Sequence, residues 1–419
     1  MNSSSRKRLI FTWPLAAVTA AVALLLAACG PQQQASSVPT ASAAPSPAEL
    51  AKLGRLVFFD PSLSASGKMA CATCHDPQHA YGPANGLSAQ LGGPQLDVPG
   101  LRAVPSLRYA LNRTPRWFKE YQSNPVERDI ETDSVPTGGL TRDGRFDTLH
   151  EQARAPLFAA NEMANASPQV VVAKLKQAAY ADQFRRLFGA DIFAHPDQAM
   201  DGMLAALERF QLDDPSFHPY TSKYDRVLQG KAELSAAEQR GLVLFADPNK
   251  GNCASCHLSA PGADGSAPLF TDFTFANLGL PRNPRIAANA DAGYFDLGLC
   301  GPERKDQAAN RKWCGMFKTP TLRNVASRQV FMHNGVFTDL ADAVRFYATR
   351  DSDPAHWYPR KGGKVERYND LPPELRDNID VLDAPLNRRA GDKPALNEAE
   401  VRDIVQFLRT LTDEDVRRL

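Results

Sequence analysis

Apolar residues recur at helical spacing in several stretches of this 419-residue chain, and polar, proline-rich stretches separate them. Two of the helical stretches begin with the same start signal. Ser46-x-x-Glu49, with Pro47 at the first helical position, and Ser235-x-x-Glu238 are capping boxes, in which two side chains satisfy amides that a helix start leaves orphaned. Each opens onto one copy of an internal repeat, Leu53-Gly54-Arg55-Leu56-Val57-Phe58-Phe59-Asp60-Pro61 and Arg240-Gly241-Leu242-Val243-Leu244-Phe245-Ala246-Asp247-Pro248. A helix that breaks at Asp-Pro is predicted in both. Apolar spacing and N-cap candidates such as Ser167 and Asn397 predict further helices over 168–188, 196–212, 338–349 and 397–411. No alternating run is long enough to require a sheet, and 32 prolines imply long ordered loops. The expected fold class is mainly α with a few short strands.

Just beyond each copy of the repeat stands a five-residue motif, Cys71-Ala72-Thr73-Cys74-His75 and Cys253-Ala254-Ser255-Cys256-His257. In C-x-x-C-H the two thiols form thioethers to a porphyrin and the adjacent imidazole reaches the iron as an axial ligand. A zinc site or a redox dithiol is the competing reading. It is disfavoured because each motif ends in His and neither sits in a β-α-β pattern. Two covalently bound haem c groups are therefore expected, each in its own helical pocket. The expected organisation is two cytochrome c-like haem domains in tandem, 48–230 and 231–419, with the terminal helix 397–411 free to pack back on the first.

The start of the chain fits an oxidising compartment. Residues 1–29 run from Arg6-Lys7-Arg8 through an apolar stretch to Ala27-Ala28-Cys29, the layout of a bacterial lipoprotein signal with Cys29 as the lipidated residue. A plain transmembrane anchor is the alternative. Residues 30–47 read as a disordered tether. The expectation is a periplasmic protein that touches a membrane only through an N-terminal lipid. Of the seven cysteines, Cys300 and Cys314 remain after lipid and haem are served; they read as a disulfide worth about 3 kcal/mol, or as a free buried pair. A net charge of +1 gives no reason to expect nucleic acid as a partner.

From about residue 48 to the end the chain resembles the bacterial di-haem cytochrome c peroxidase/MauG superfamily. The resemblance rests on the two motifs, on Arg142-Asp143-Gly144-Arg145 followed by Gln152, Pro156 and Glu162-Met163, and on Phe317 to Val325 with Phe331-Met332-His333-Asn334-Gly335. It implies that the N-terminal haem, held by His75, meets hydrogen peroxide and that the C-terminal haem, held by His257, stores or relays electrons. It implies also that Gln152 orients peroxide, that Pro156 fills the distal face without offering a ligand, and that Glu162 is the acid-base group. A carboxylate suits that task when burial raises its pKa. His333 resembles a pocket histidine that supports the haem. Electrons are expected from a small redox protein, a cytochrome c or cupredoxin, or from side chains of a protein substrate. A non-catalytic di-haem electron carrier is the alternative.

Several positions depart from the ordinary peroxidase pattern. Fourteen residues after His333, where peroxidases have a Met ligand, the chain has Tyr347, as MauG-type members do. Phenolate is hard and anionic and stabilises oxidised iron, whereas thioether raises the potential. Tyr347 as a core aromatic is the competing reading, with Met332 and Met316 as other ligand candidates. The family's Trp before Asp-Gly-Arg is Arg142 here, which leaves Trp117, Trp313, Trp357 and Tyr109 as aromatic substitutes between the haems. The only histidine soon after the first motif is His79, on the proximal side, so the first iron is expected to keep an open site. The resemblance also admits one interdomain calcium, but Tyr109 stands where its Asn ligand belongs, leaving Asn112 and backbone carbonyls near Arg328 and Val330 to compensate.

Overall fold

The structure, a computed structural model, describes residues 44–109, 113–121 and 135–416. The signal stretch with Cys29, most of the 30–47 tether, and Asn112 lie outside them. Among the described residues the helices are α1 (Pro47–Phe58), α2 (Cys71–Cys74), α3 (Leu149–Phe158), α4 (Pro168–Leu175), α5 (Ala181–Phe188), α6 (Pro196–Asp213), α7 (Lys223–Leu228), α8 (Ala236–Ala246), α9 (Leu340–Thr349), α10 (Pro354–Trp357) and α11 (Glu398–Arg409). Strands occur only as two-stranded antiparallel ribbons. They are β1 (Leu91–Gly92) with β2 (Val98–Pro99), β3 (Phe118–Tyr121) with β4 (Val135–Thr137), β5 (Phe275–Ala276) with β6 (Phe317–Lys318), and β7 (Arg360–Lys361) with β8 (Lys364–Val365). The fold is mainly helical, as the patterning predicts.

Both capping boxes form, Ser46 with Glu49 at the head of α1 and Ser235 with Glu238 at the head of α8. The repeat then shows its purpose. Gly54 in α1 lets α6 approach so closely that an added Cβ would stand 1.9 Å from the Ala206 carbonyl oxygen. Gly241, its counterpart in α8, does the same for α11, where the Asp403 carbonyl oxygen would be 2.0 Å away. Only a residue without Cβ permits either crossing.

Two apolar cores result. The first, around α1, α4 and α6, centres on Phe58, Tyr81, Phe210 and Phe217, with the Tyr81 and Phe217 rings stacked at 4.0 Å. The second, around α8, α9 and α11, centres on Tyr224, Phe245, Phe270 and Phe407. Between them runs a polar seam.

Three elements differ from expectation. The helix expected over 168–188 is two, α4 and α5, because the Tyr180 hydroxyl reaches Asp60 Oδ2 at 2.7 Å and turns the chain between them. Helix α3 forms although Pro156 stands inside it, since Thr148 caps its start and the proline lies in its last turn. The terminal helix, α11, packs on α8 and α9 rather than on the first core. The reach back is made by residues beyond it: Asp413 and Asp415 bind the buried Arg108 guanidinium at 3.0 and 2.5 Å. No helix of the described residues is long and apolar enough to cross a membrane.

Candidate functional site

Each C-x-x-C-H motif follows a helix of the repeat and ends on an imidazole with one fixed nitrogen. His75 Nδ1 donates to the Tyr81 carbonyl at 2.9 Å, and His257 Nδ1 donates to the Phe270 carbonyl at 2.9 Å. A carbonyl only accepts, so the tautomer is set and Nε2 is left as the ligating atom. Tyr81 and Phe270 both hold left-handed backbone, with φ of 54° and 55°. An aromatic residue adopts that region at a cost of about 1–2 kcal/mol, so buried stacking must hold it there. Tyr81 and Phe270 are almost wholly buried in the two aromatic clusters. The same strained turn thus aims both imidazoles.

Burial lowers His75 and His257 to about 4, which keeps both rings neutral and able to ligate. Burial also pushes the Cys71, Cys253 and Cys256 thiols up to about 12 and Cys74 to about 11. A redox dithiol needs the opposite shift. No three His, Cys, Asp or Glu side chains among the described residues gather as a metal-ion cluster, so zinc fits poorly too. Paired thiols beside an oriented imidazole fit a thioether-linked haem c at each motif.

Helix α3 carries Gln152 and Pro156 one turn apart on one face. Glu162 follows in a tightly held turn. Its N–H donates to the Ala159 carbonyl at 3.0 Å, its own carbonyl accepts from Gly93 at 2.8 Å, and the next amide, Met163, donates to the Pro156 carbonyl at 3.0 Å. The β1–β2 ribbon presses on this turn through Gly92, where an added Cβ would meet the Asn161 carbonyl oxygen at 2.2 Å and Glu162 Cα at 2.7 Å. Gly92 and Gly93 were invisible as site residues in the sequence, where Gly-Gly signals only a turn.

Glu162 is accessible along one side yet flanked by enough protein that desolvation raises its pKa above the usual 4.5. Arg145 opposes the rise and Glu303 adds to it; these two are themselves paired at 2.8 Å. The carboxylate is near enough to Cys71 and Cys74 to raise both thiols. The carboxylate therefore lies within electrostatic reach of the first thiol pair.

The second motif faces a different group. Tyr347, on α9, lies close enough to Cys256 and Cys253 for their charges to add to the upward shift that burial gives its phenol. Its neighbours Ala343, Val344, Phe346 and Ala348 fill the second core, while Tyr347 is outside that cluster. This placement weighs against a core role. Met332 packs into the second core, and Met316 sits with Trp117, Phe275, Leu299 and Trp313.

His333 lies on the seam rather than beside a thiol pair. Its ring stacks on Phe317 at 3.5 Å, its carbonyl accepts from Ala103 at 2.8 Å, and its Nε2 stands 3.5 Å from Asp370 without a hydrogen bond. Arg102 crosses the seam to bind Asp143 and Asp296, both at 2.6 Å. Arg142 donates to the Ala103 carbonyl at 2.7 Å, and Lys318 to that of Gly139; neither has a carboxylate within ion-pair distance among the described residues. Desolvation lowers them to about 9 and about 7. Such cations suit the propionates of a bound haem.

Of the aromatic substitutes for the missing Trp, Trp357 is fixed in the second core by its bond to Thr349 Oγ1, and Tyr109 donates to Asp413 Oδ1 at 2.5 Å. Trp117 and Trp313 form an edge-to-face pair at 6.3 Å. His79 is held by Asp76 on the proximal loop at 3.1 Å. Cys300 and Cys314 are joined in a disulfide. Of the residues named for calcium, Tyr109 commits its hydroxyl to Asp413, Asn112 lies outside the described residues, and the Arg328 guanidinium donates to the Val104 carbonyl.

Comparison with known proteins agrees with this geometry. A family model described as di-haem cytochrome c peroxidase matches residues 48–233. The methylamine utilization protein MauG of Paracoccus denitrificans is 33% identical over 409 residues, covering 95% of each chain. The cytochrome c551 peroxidase of Nitrosomonas europaea is 28% identical over 312 residues, 73% of this chain and 75% of that protein. The crystal structure of the diheme peroxidase BthA from Burkholderia thailandensis superposes with a TM-score of 0.77 at 40% identity, covering 88% of this chain and 87% of that one.

Proposed function

The chain belongs to the di-haem cytochrome c peroxidase/MauG family, and from that premise we propose that it activates hydrogen peroxide at the haem of Cys71, Cys74 and His75, and relays or stores the oxidising equivalents at the haem of Cys253, Cys256 and His257. The enzyme class, a peroxidase-like di-haem oxidoreductase, follows from the family. The division of labour is supported by one observation: a desolvated carboxyl, Glu162, lies close enough to the first thiol pair to act on it electrostatically, whereas a phenol, Tyr347, lies within the same reach of the second.

When bound, each haem c supplies an iron centre that exchanges electrons. The side chains do the rest. The Gln152 side chain, with no hydrogen bond to another described residue, is free to orient peroxide, and Pro156 offers that face no ligand. Glu162 takes the proton from one peroxide oxygen and returns it to the departing one, a role worth about 10²–10⁴ in rate. Tyr347 would hold the second haem together with His257, and an anionic oxygen donor in that place would favour oxidised iron. Electrons come from a cytochrome c or cupredoxin, or from a protein substrate. An N-terminal lipid on Cys29 would hold the enzyme at the periplasmic side of a membrane.

The test is one equivalent of peroxide added to the fully ferric holoprotein, followed by visible and EPR spectra. One high-spin and one low-spin haem that both respond support the proposal. Two low-spin haems and no response would leave only the electron-carrier reading.

A further inference from the structure

Arg328 follows the short turn Val325–Ser327 and crosses the seam, where its Nη2 donates to the Val104 carbonyl at 2.8 Å. Its Nη1 lies 3.6 Å from the position a Cβ would take on Gly82, in the loop that follows His75. No carboxylate of the described residues is within ion-pair distance of it. Arg142 donates to the preceding carbonyl, that of Ala103, so two guanidinium groups bracket residues 103 and 104. Desolvation lowers Arg328 to about 10, and it remains a cation at neutral pH.

The cavity beside Arg328 has a volume of about 10 Å³, room for one water at most. It is lined by Ala80, Ser106, Asn324, Ser327 and Arg328 among others, with no carboxylate. Three of the oxygens around it are already engaged. The Ala80 carbonyl accepts from Ser106 Oγ at 2.5 Å, the Asn324 carbonyl from Ser327 Oγ at 2.8 Å, and the Asn324 amide oxygen from Asp413 N at 2.8 Å. Calcium asks for about six to eight oxygen ligands, several of them carrying charge. Space and negative charge are both missing, and a cation is already in place.

We propose that Arg328 is a tethered cation holding the seam where the family resemblance puts calcium, so that this protein couples its two haem-bearing halves without a divalent ion. The proposal rests on the di-haem reading for the content of those halves. A charge attached to the chain cannot be lost by chelation or dilution. Its guanidinium lies beside Gly82, in the loop that follows His75, so its charge also contributes to the field at the first haem.

Metal analysis of the gel-filtered holoprotein, after incubation with calcium, should find less than about 0.1 calcium per chain. EGTA should leave the visible spectrum, the melting temperature and the peroxide reaction unchanged. Arg328→Ala should lower the midpoint potential of the first haem and leave the second in place, and Arg328→Lys should restore most of the loss, a rescue that packing alone does not give. One calcium per wild-type chain, an EGTA effect reversed by calcium, or an unchanged potential in Arg328→Ala overturns the proposal. If Arg328→Ala does not fold, metal content and EGTA response of the wild type decide it. Metal content needs no peroxide reactivity, so failure here is distinguishable from failure of the peroxidase reading.

Discussion

Replacing Gly92 by Ala perturbs Glu162 without touching a haem-attachment residue. The new methyl carbon would lie 2.2 Å from the Asn161 carbonyl oxygen, 2.6 Å from its carbon and 2.7 Å from Glu162 Cα. All three neighbours are backbone, so no side chain can swing aside. The ribbon or the Glu162 turn must retreat by about 1 Å to restore an ordinary contact, at an overpacking cost of about 1–3 kcal/mol. The turn is the softer of the two, being tied to the ribbon by the Gly93 to Glu162 bond. A proton-transferring group misplaced by about 1 Å loses on the order of 10² in rate. Stopped-flow mixing of ferric holoprotein with stoichiometric peroxide measures that loss, with haem content and circular dichroism as controls. A Gly92→Ala protein with both haems, a native fold and an unchanged rate would refute the idea that this ribbon positions the carboxyl.

Other consequences are open to measurement. Desolvation raises Glu162, so its basic form is lost as pH falls through a pKa above 4.5; the peroxide reaction should decline on the acid side at a pH above that value, and a pH–rate profile with no such limb would contradict it. Tyr347→Met replaces the proposed anionic donor by a thioether and should raise the second haem's midpoint potential while leaving the first nearly unchanged, as read by spectroelectrochemistry. Asp413→Ala strips partners from Arg108, Tyr109 and Asn324 at once; loss of a buried charge partner costs about 3–5 kcal/mol, visible as a lowered denaturation midpoint.

What the sequence revealed was local, and what it hid was tertiary. The capping boxes at Ser46 and Ser235 and the two C-x-x-C-H motifs are complete within a few residues, so spacing alone exposes them. The repeat likewise exposed Gly54 and Gly241 as a matched pair. The reason for the pair, a helix crossing α1 and α8 from about 150 residues farther along the chain, needs the fold. Tyr81 and Phe270 orient the two imidazoles through carbonyls, which any residue possesses, so no letter marks them. Tyr180 breaks a helix that its own segment favours because Asp60 lies within its reach. Arg328 was legible in the sequence only through its backbone carbonyl; that its side chain crosses the seam to Val104 needs the fold.

The claim at the centre of this account is that the two haem sites are unequal because Glu162 serves only the first. Glu162→Gln keeps the size and the hydrogen-bonding reach of the side chain but removes its ability to carry a proton between peroxide oxygens. Stopped-flow reaction of the ferric Glu162→Gln holoprotein with stoichiometric peroxide should be slower than wild type by about 10²–10⁴, with resting spectra and both midpoint potentials unchanged. A rate equal to wild type, with both haems in place, would contradict the account.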